Sequence, residues 1–139
     1  MANIVFVSGC FNLLHPGHVY FLNKAKEFGD ILVVAIADDN ITKHKRVPII
    51  NHKQRKYMIK NLKCVDYVIS EENEMPPENI KTIVKNLLPD IWVTIEDNPN
   101  LASYQKIARE NNIEFIILER NNEGIFNIST TEIIERLSL

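Results

Sequence analysis

The apolar residues of this chain gather in short unbroken runs, and helical periodicity fills the stretches between them. Ile4-Val5-Phe6-Val7, Ile31 to Ala37, Val65 to Ile69, Ile91 to Ile95 and Ile113 to Leu118 are five such runs. Each is the length of a strand and lacks polar alternation, which predicts strands buried on both faces. After the first run, His15-Pro16-Gly17-His18 opens a stretch in which Val19, Leu22, Ala25 and Lys26 recur three and four apart, closed by Phe28-Gly29. That is an amphipathic helix with a glycine stop. Asn51 can cap a helix to about Leu62, and Pro76-Pro77 starts one that ends near Leu88-Pro89. Leu101 to Asn111 and Thr130 to Leu137 predict two more helices. Short apolar strands alternating with helices predict an α/β fold: a Rossmann-like, doubly wound, five-stranded parallel sheet with helices on both faces. Such sheets bind ligands beyond the carboxyl ends of their strands, where the strand order reverses. The segments 8–18, 96–100 and 119–130 are therefore expected to share one site.

Bulk properties narrow the classes. The 139 residues are 45% apolar and contain no repeat, linker or low-complexity tract, so one domain over 1–139 is expected. No apolar run reaches the roughly 18 residues that cross a bilayer. The start of the chain has no basic leader or cleavage site, which makes a cytoplasmic protein without membrane insertion the expectation. Cys10 and Cys64 form no metal or redox spacing. A formal net charge of -2 speaks against a general nucleic-acid binder. The charge is uneven, however. From Asn40 to Val65 there is no acidic residue, and eight of the sixteen Lys and Arg lie there. Most of such a segment is a solvated face, but its single sign also suits a small polyanion. Without aromatic interleaving it does not read as a nucleic-acid surface.

The candidate chemistry starts at Ser8-Gly9-Cys10-Phe11-Asn12-Leu13-Leu14-His15-Pro16-Gly17-His18. Gly9 permits a sharp turn off the strand, and Gly17 permits close backbone approach at a helix start. Free N–H groups and the helix dipole there suit a phosphate. Two imidazoles three residues apart can donate to charge that grows during phosphoryl-type transfer. Arg55 lies three, four and seven residues before Met58, Ile59 and Leu62, on the inward stripe of its helix. A guanidinium there needs a carboxylate or a ligand phosphate. Lys63 is open to two readings, helix-end charge compensation and substrate contact. Ser129 with Glu132 forms a capping box, and a capped helix start can also hold phosphate.

His-Pro-Gly-His after the Gly9–Phe11 turn resembles the His-x-Gly-His signature of the cytidylyltransferase-like nucleotidyltransferases, and the likeness runs from about Ile4 to Arg136. The resemblance implies the HUP-type nucleotidyltransferase fold. It also implies in-line attack of a substrate phosphate on the α-phosphorus of a nucleotide, Mg²⁺ as cofactor, loss of pyrophosphate and a homodimer. His15, His18 and Lys45 would act in catalysis. Nucleotide contacts would come from Gly9, Cys10, Phe11, His15, His18, Asp97, Arg120, Ile128, Ser129, Thr130 and Thr131. Substrate contacts would come from Asn12, Lys45, Arg55 and Lys63. Three departures stand out: Asn12 replaces the family's aspartate, Arg46 stands where a glycine often follows the lysine loop, and Ile95 stands before Glu96-Asp97-Asn98-Pro99 in place of a glycine. Arg120 also lies further from Ile128-Ser129-Thr130-Thr131 than in the family, in a loop longer by three residues. Lys43-His44-Lys45 looks like the loop of phosphoethanolamine cytidylyltransferases, and with the likeness of Asp97-Asn98-Pro99 to the family's Asp-x-Pro turn it favours CTP; the chain looks like the branch that also holds the glycerol-3-phosphate enzymes, which favours a small phosphorylated alcohol. Val47-Pro48-Ile49-Ile50 with Gln54-Arg55, and Pro89-Asp90-Ile91, look equally like ATP-using heptose-phosphate or flavin enzymes. A catalytically impaired nucleotide-binding regulator is the alternative from another class, motivated by Asn12 and by the 95–97 segment.

Overall fold

The computed structural model describes residues 2–120, 124 and 127–138. Its elements run β1 (Ile4–Gly9), α1 (Pro16–Lys26), β2 (Ile31–Ala37), α2 (Asp39–Thr42), α3 (His52–Lys60), β3 (Tyr67–Glu71), α4 (Glu78–Leu87), β4 (Ile91–Ile95), α5 (Leu101–Glu110), β5 (Glu114–Leu118) and α6 (Thr130–Leu137). All strand pairs are parallel, in the order β3-β2-β1-β4-β5. The order reverses between β1 and β4, which places the switch point beside the histidine segment.

The strands read as unbroken apolar runs because alternate residues enter two separate cores. Val5 and Val7 of β1, Leu32, Val34 and Ile36 of β2, and Ile91 and Val93 of β4 pack with Leu22 and Ala25 of α1 and Ile59 of α3. Phe6, Ala35 and Trp92 point the other way, against Ile80 and Val84 of α4 and Tyr104, Ile107 and Ala108 of α5. Each face is thus closed by its own helix pair, and the fully buried Trp92 anchors the second core through Phe6, Tyr104 and Phe115.

Two elements differ from the sequence expectation. The third strand spans Tyr67–Glu71 and pairs Val33 with Tyr67 through Ala37 with Glu71. Its expected start is displaced because Asp66 turns its carboxylate onto the backbone N–H of Leu32 at 2.8 Å and onto Lys26. The short helix α2 has no apolar period of its own and is started by Asp38, whose Oδ1 accepts from Ile41 N at 2.8 Å. None of the described helices is long and apolar enough to cross a membrane.

Candidate active site

The turn after β1 and the start of α6 face each other across one cleft of about 1010 Å³ at the carboxyl ends of the strands. Gly17 shows how close they come. A methyl group there would sit 2.9 Å from His15 Cε1, 3.0 Å from His15 Nδ1 and 3.1 Å from the Ile128 carbonyl oxygen. Gly9 is constrained in the same way, since a methyl group would meet the Phe11 ring at 2.9 Å. Phe11 itself holds φ at 49°, a left-handed conformation that is costly for a bulky residue and common at functional turns.

The histidines are built into the helix start. His15 is the N-cap of α1, and its Nδ1 accepts from Gly17 N at 3.1 Å. His18 returns the favour as the third helical residue, its Nδ1 accepting from His15 N at 3.3 Å. The rings stack with centroids 3.7 Å apart, and Phe11 meets His18 edge-on at 5.2 Å. Burial, followed by repulsion from His15 when that ring is charged and from Lys45 and Arg120, lowers His18 to about 3, against a weaker pull from the Leu13 carbonyl. His15 is lowered by burial and by Arg120. Both rings are therefore neutral at neutral pH. With each Nδ1 accepting, each proton resides on Nε2. The arrangement supplies two neutral N–H donors, not a general acid or base.

Other expected residues gather around this pair. Cys10, Phe11, Asn12, Lys45, Asp97, Arg120 and Ile128 to Thr131 all line the cleft. Ser129 caps α6, its hydroxyl accepting from Glu132 N at 3.1 Å. Arg120 and Asp97 join the ends of β5 and β4 through a 3.2 Å contact between half-exposed side chains. Arg46 reaches across the cleft mouth, Nη2 to Thr131 Oγ1 at 2.7 Å, and so ties the lysine loop to α6. The lengthened loop from Asn121 to Asn127 falls mostly outside the described residues.

Two expected substrate contacts are corrected. Arg55, 1% exposed, is not at the cleft surface. Its Nε donates to Ile50 O at 2.9 Å, Nη1 to Ala37 O at 2.8 Å and to Cys10 O, and Nη2 to Asp39 Oδ1 at 2.7 Å. The guanidinium holds the turn after β1, the end of β2, the start of α2 and the 47–50 loop together, and has little left to offer a phosphate. Lys63 lies just before Val65-Asp66, and Asp66 accepts from Leu32 N at the start of β2. It is therefore at the amino ends of the strands, away from the cleft, which leaves helix-end charge compensation as its reading.

Asn12 lines the cleft, yet its amide is engaged elsewhere. Nδ2 donates to Val47 O at 3.2 Å, and Oδ1 accepts from Ile49 N at 2.8 Å. Only an amide can do both, which gives a physical reason for Asn where the family has Asp. Asn12→Asp is expected to lower stability by about 1–2 kcal/mol, because a carboxylate would face the Val47 carbonyl without a donor. Thermal unfolding reads this as a melting point roughly 3–8 °C lower. An unchanged melting point would mean that the amide does not hold the loop.

Sequence reasoning missed Glu71, Tyr104, Thr94 and Arg46, all of which line the cleft. Glu71 opens the polar run Glu71-Glu72-Asn73-Glu74, which reads as a solvated loop. Only its register opposite Ala37 brings it inside.

The chain is similar to several known proteins. The bifunctional protein HldE of Helicobacter pylori (strain HPAG1) is 40% identical over 139 aligned residues, covering 96% of this chain and 27% of that protein. The chain thus spans about a quarter of the length of these first curated relatives. An FAD synthase from Methanocella paludicola is 41% identical over 96 residues, 68% of this chain and 64% of that protein. The crystal structure of a lipopolysaccharide core biosynthesis protein from Thermoplasma volcanium superposes with a TM-score of 0.74 at 28% identity, over 89% of this chain and all of that one. A sequence model described as cytidylyltransferase-like matches residues 6–136, nearly the whole span from β1 to α6. The chain belongs to that family.

Proposed function

We propose that this chain, acting as one domain, transfers AMP from ATP to a small phosphorylated molecule, a sugar phosphate before FMN, and releases pyrophosphate. The observation that carries this reading is the convergence of two helix starts, α1 with His15 and His18 and α6 with Ser129 to Thr131, on one cleft. Each start offers N–H groups and positive dipole charge to phosphates. An acceptor phosphate oxygen bonds to the α-phosphorus as the bond to the pyrophosphate oxygen breaks, and the electron pair leaves with pyrophosphate. His15 and His18 donate Nε2–H to the oxygens that gain charge, and Lys45 supplies a mobile cation between acceptor and triphosphate.

ATP replaces CTP as the favoured nucleotide. Similarity to an FAD synthase and to the HldE proteins supports it, in agreement with the likeness of Val47 to Ile50, Gln54-Arg55 and Pro89 to Ile91 to ATP-using enzymes. The likeness to a lipopolysaccharide core biosynthesis protein supports a sugar acceptor. Mg²⁺ fits as a passenger of the nucleotide. Among the described residues no three His, Cys, Asp or Glu side chains converge, so phosphate oxygens and water would supply most ligands, as this ion prefers. When bound it neutralises phosphate charge.

Thermal unfolding with ATP or CTP, each with Mg²⁺, tests the nucleotide. At about a hundred times Kd, a ligand of the native state adds about 2.7 kcal/mol, a rise of roughly 5–10 °C. ATP is expected to give the larger rise. A larger rise with CTP would restore the cytidylyl reading. Pyrophosphate release in the presence of a phosphorylated acceptor separates an enzyme from a regulator that only binds nucleotide.

A further inference from the structure

The cleft is longer than its phosphate-binding part. Arg120 follows β5 at one edge of the sheet and Glu71 ends β3 at the other. Four strand spacings separate those edges, about 19 Å. The histidines follow β1 at the centre, where the start of α6 meets them, and Lys45 and Arg46 come from the segment between β2 and β3. The end of β3 itself has no part in the chemistry described so far, yet it holds a carboxyl group that is only 3% exposed.

Glu71 is anchored through one oxygen alone. Asn79 Nδ2 donates to its Oε1 at 2.7 Å. No ion pair involves it. Among the described residues no sealed side-chain oxygen or nitrogen lacks a hydrogen-bond partner, so the second oxygen, which has none, opens onto the cleft that Glu71 lines. Tyr104, 4% exposed, lines the same cleft. Thr94 of β4 lines the same cleft and accepts from Asn98 Nδ2 at 3.0 Å. These side chains offer hydroxyl and carboxyl groups to a ligand.

We propose that Glu71 is a specificity-determining residue of the acceptor half of the cleft, its free carboxyl oxygen bonding a hydroxyl of a polyhydroxylated phosphate ester. The assignment rests on the reading of the cleft as a shared nucleotide and acceptor site. Hydroxyls fit better than a cationic head group. Burial, offset in part by the Asn79 hydrogen bond and reinforced by Asp38, raises Glu71 to about 7. The group is then half protonated near neutrality and can both accept from and donate to a hydroxyl. Asp38, whose charge reinforces the shift of Glu71, is engaged in capping α2.

Calorimetry on the full chain tests this with mannose 1-phosphate, ribose 5-phosphate, glycerol 3-phosphate and phosphocholine, and with ATP and Mg²⁺ as the reference. Glu71→Gln keeps the Asn79 bond and should keep the melting point, while losing the charge-assisted hydrogen bond. At least one of the three polyol phosphates is expected to bind wild type and to bind Glu71→Gln about tenfold more weakly, with ATP affinity unchanged within twofold. Equal polyol affinity in both proteins, no polyol phosphate bound by wild type, tighter phosphocholine binding, or a loss confined to ATP would each overturn the assignment. Pyrophosphate release from ATP is measured separately. Its absence would remove the adenylyl reading and leave the binding result standing.

Discussion

His18→Ala is expected to lower turnover by roughly 10²–10³, the loss that follows removal of one donor aimed at developing charge. Steady-state pyrophosphate release at saturating ATP measures it. The nucleotide KM should move little, because the interaction strengthens only in the transition state. The same geometry sets a pH behaviour. With His18 held at about 3 in the folded free protein against about 6.5 when unfolded, the unfolded chain binds more protons below that upper value. His18 therefore removes stability as pH falls from about 6.5 toward 3, and His18→Gln should blunt that loss. A variant that folds and turns over at the wild-type rate would take the ring out of the mechanism.

Arg55→Ala is expected to be the most destabilising single change, by about 3–5 kcal/mol. It would leave Asp39 without its partner and the carbonyls of Cys10, Ala37 and Ile50 without their donor, and would open a cavity in a fully buried place. Thermal unfolding should show a drop of roughly 10–20 °C. Arg55→Lys should recover part of it, since one ammonium cannot reach all four partners. A variant with the wild-type melting point and weakened acceptor binding would return Arg55 to the list of ligands.

These two residues show where the sequence was legible. His15, Gly17 and His18 sit at a strand–helix junction, a local feature, and the structure places them as the pattern implied. Arg55 was correctly assigned to the inward stripe of α3, because periodicity reports direction. What it meets there depends on three carbonyls and a carboxylate from four separate segments, and no local pattern encodes that. Glu71 was hidden for a related reason. Its neighbours are polar, and only the pairing of β3 with β2, two residues along from the apolar run, carries it to the cleft edge. The nucleotide preference was drawn from likeness in the Lys-His-Lys loop and the Asp-x-Pro turn, and no residue there reads a base directly.

The reciprocal cap at the start of α1 has a further consequence. The atoms that close the helix and the rings that line the cleft belong to the same two side chains, so folding and the proposed chemistry at this point are not separately adjustable. A serine or aspartate in place of His15 would satisfy Gly17 N as well or better, and the helix would tolerate it. The reaction would not, since neither offers an N–H in that position. Variation that is neutral for the fold is thereby filtered by the chemistry, and changes that suit the chemistry must still make a helix begin.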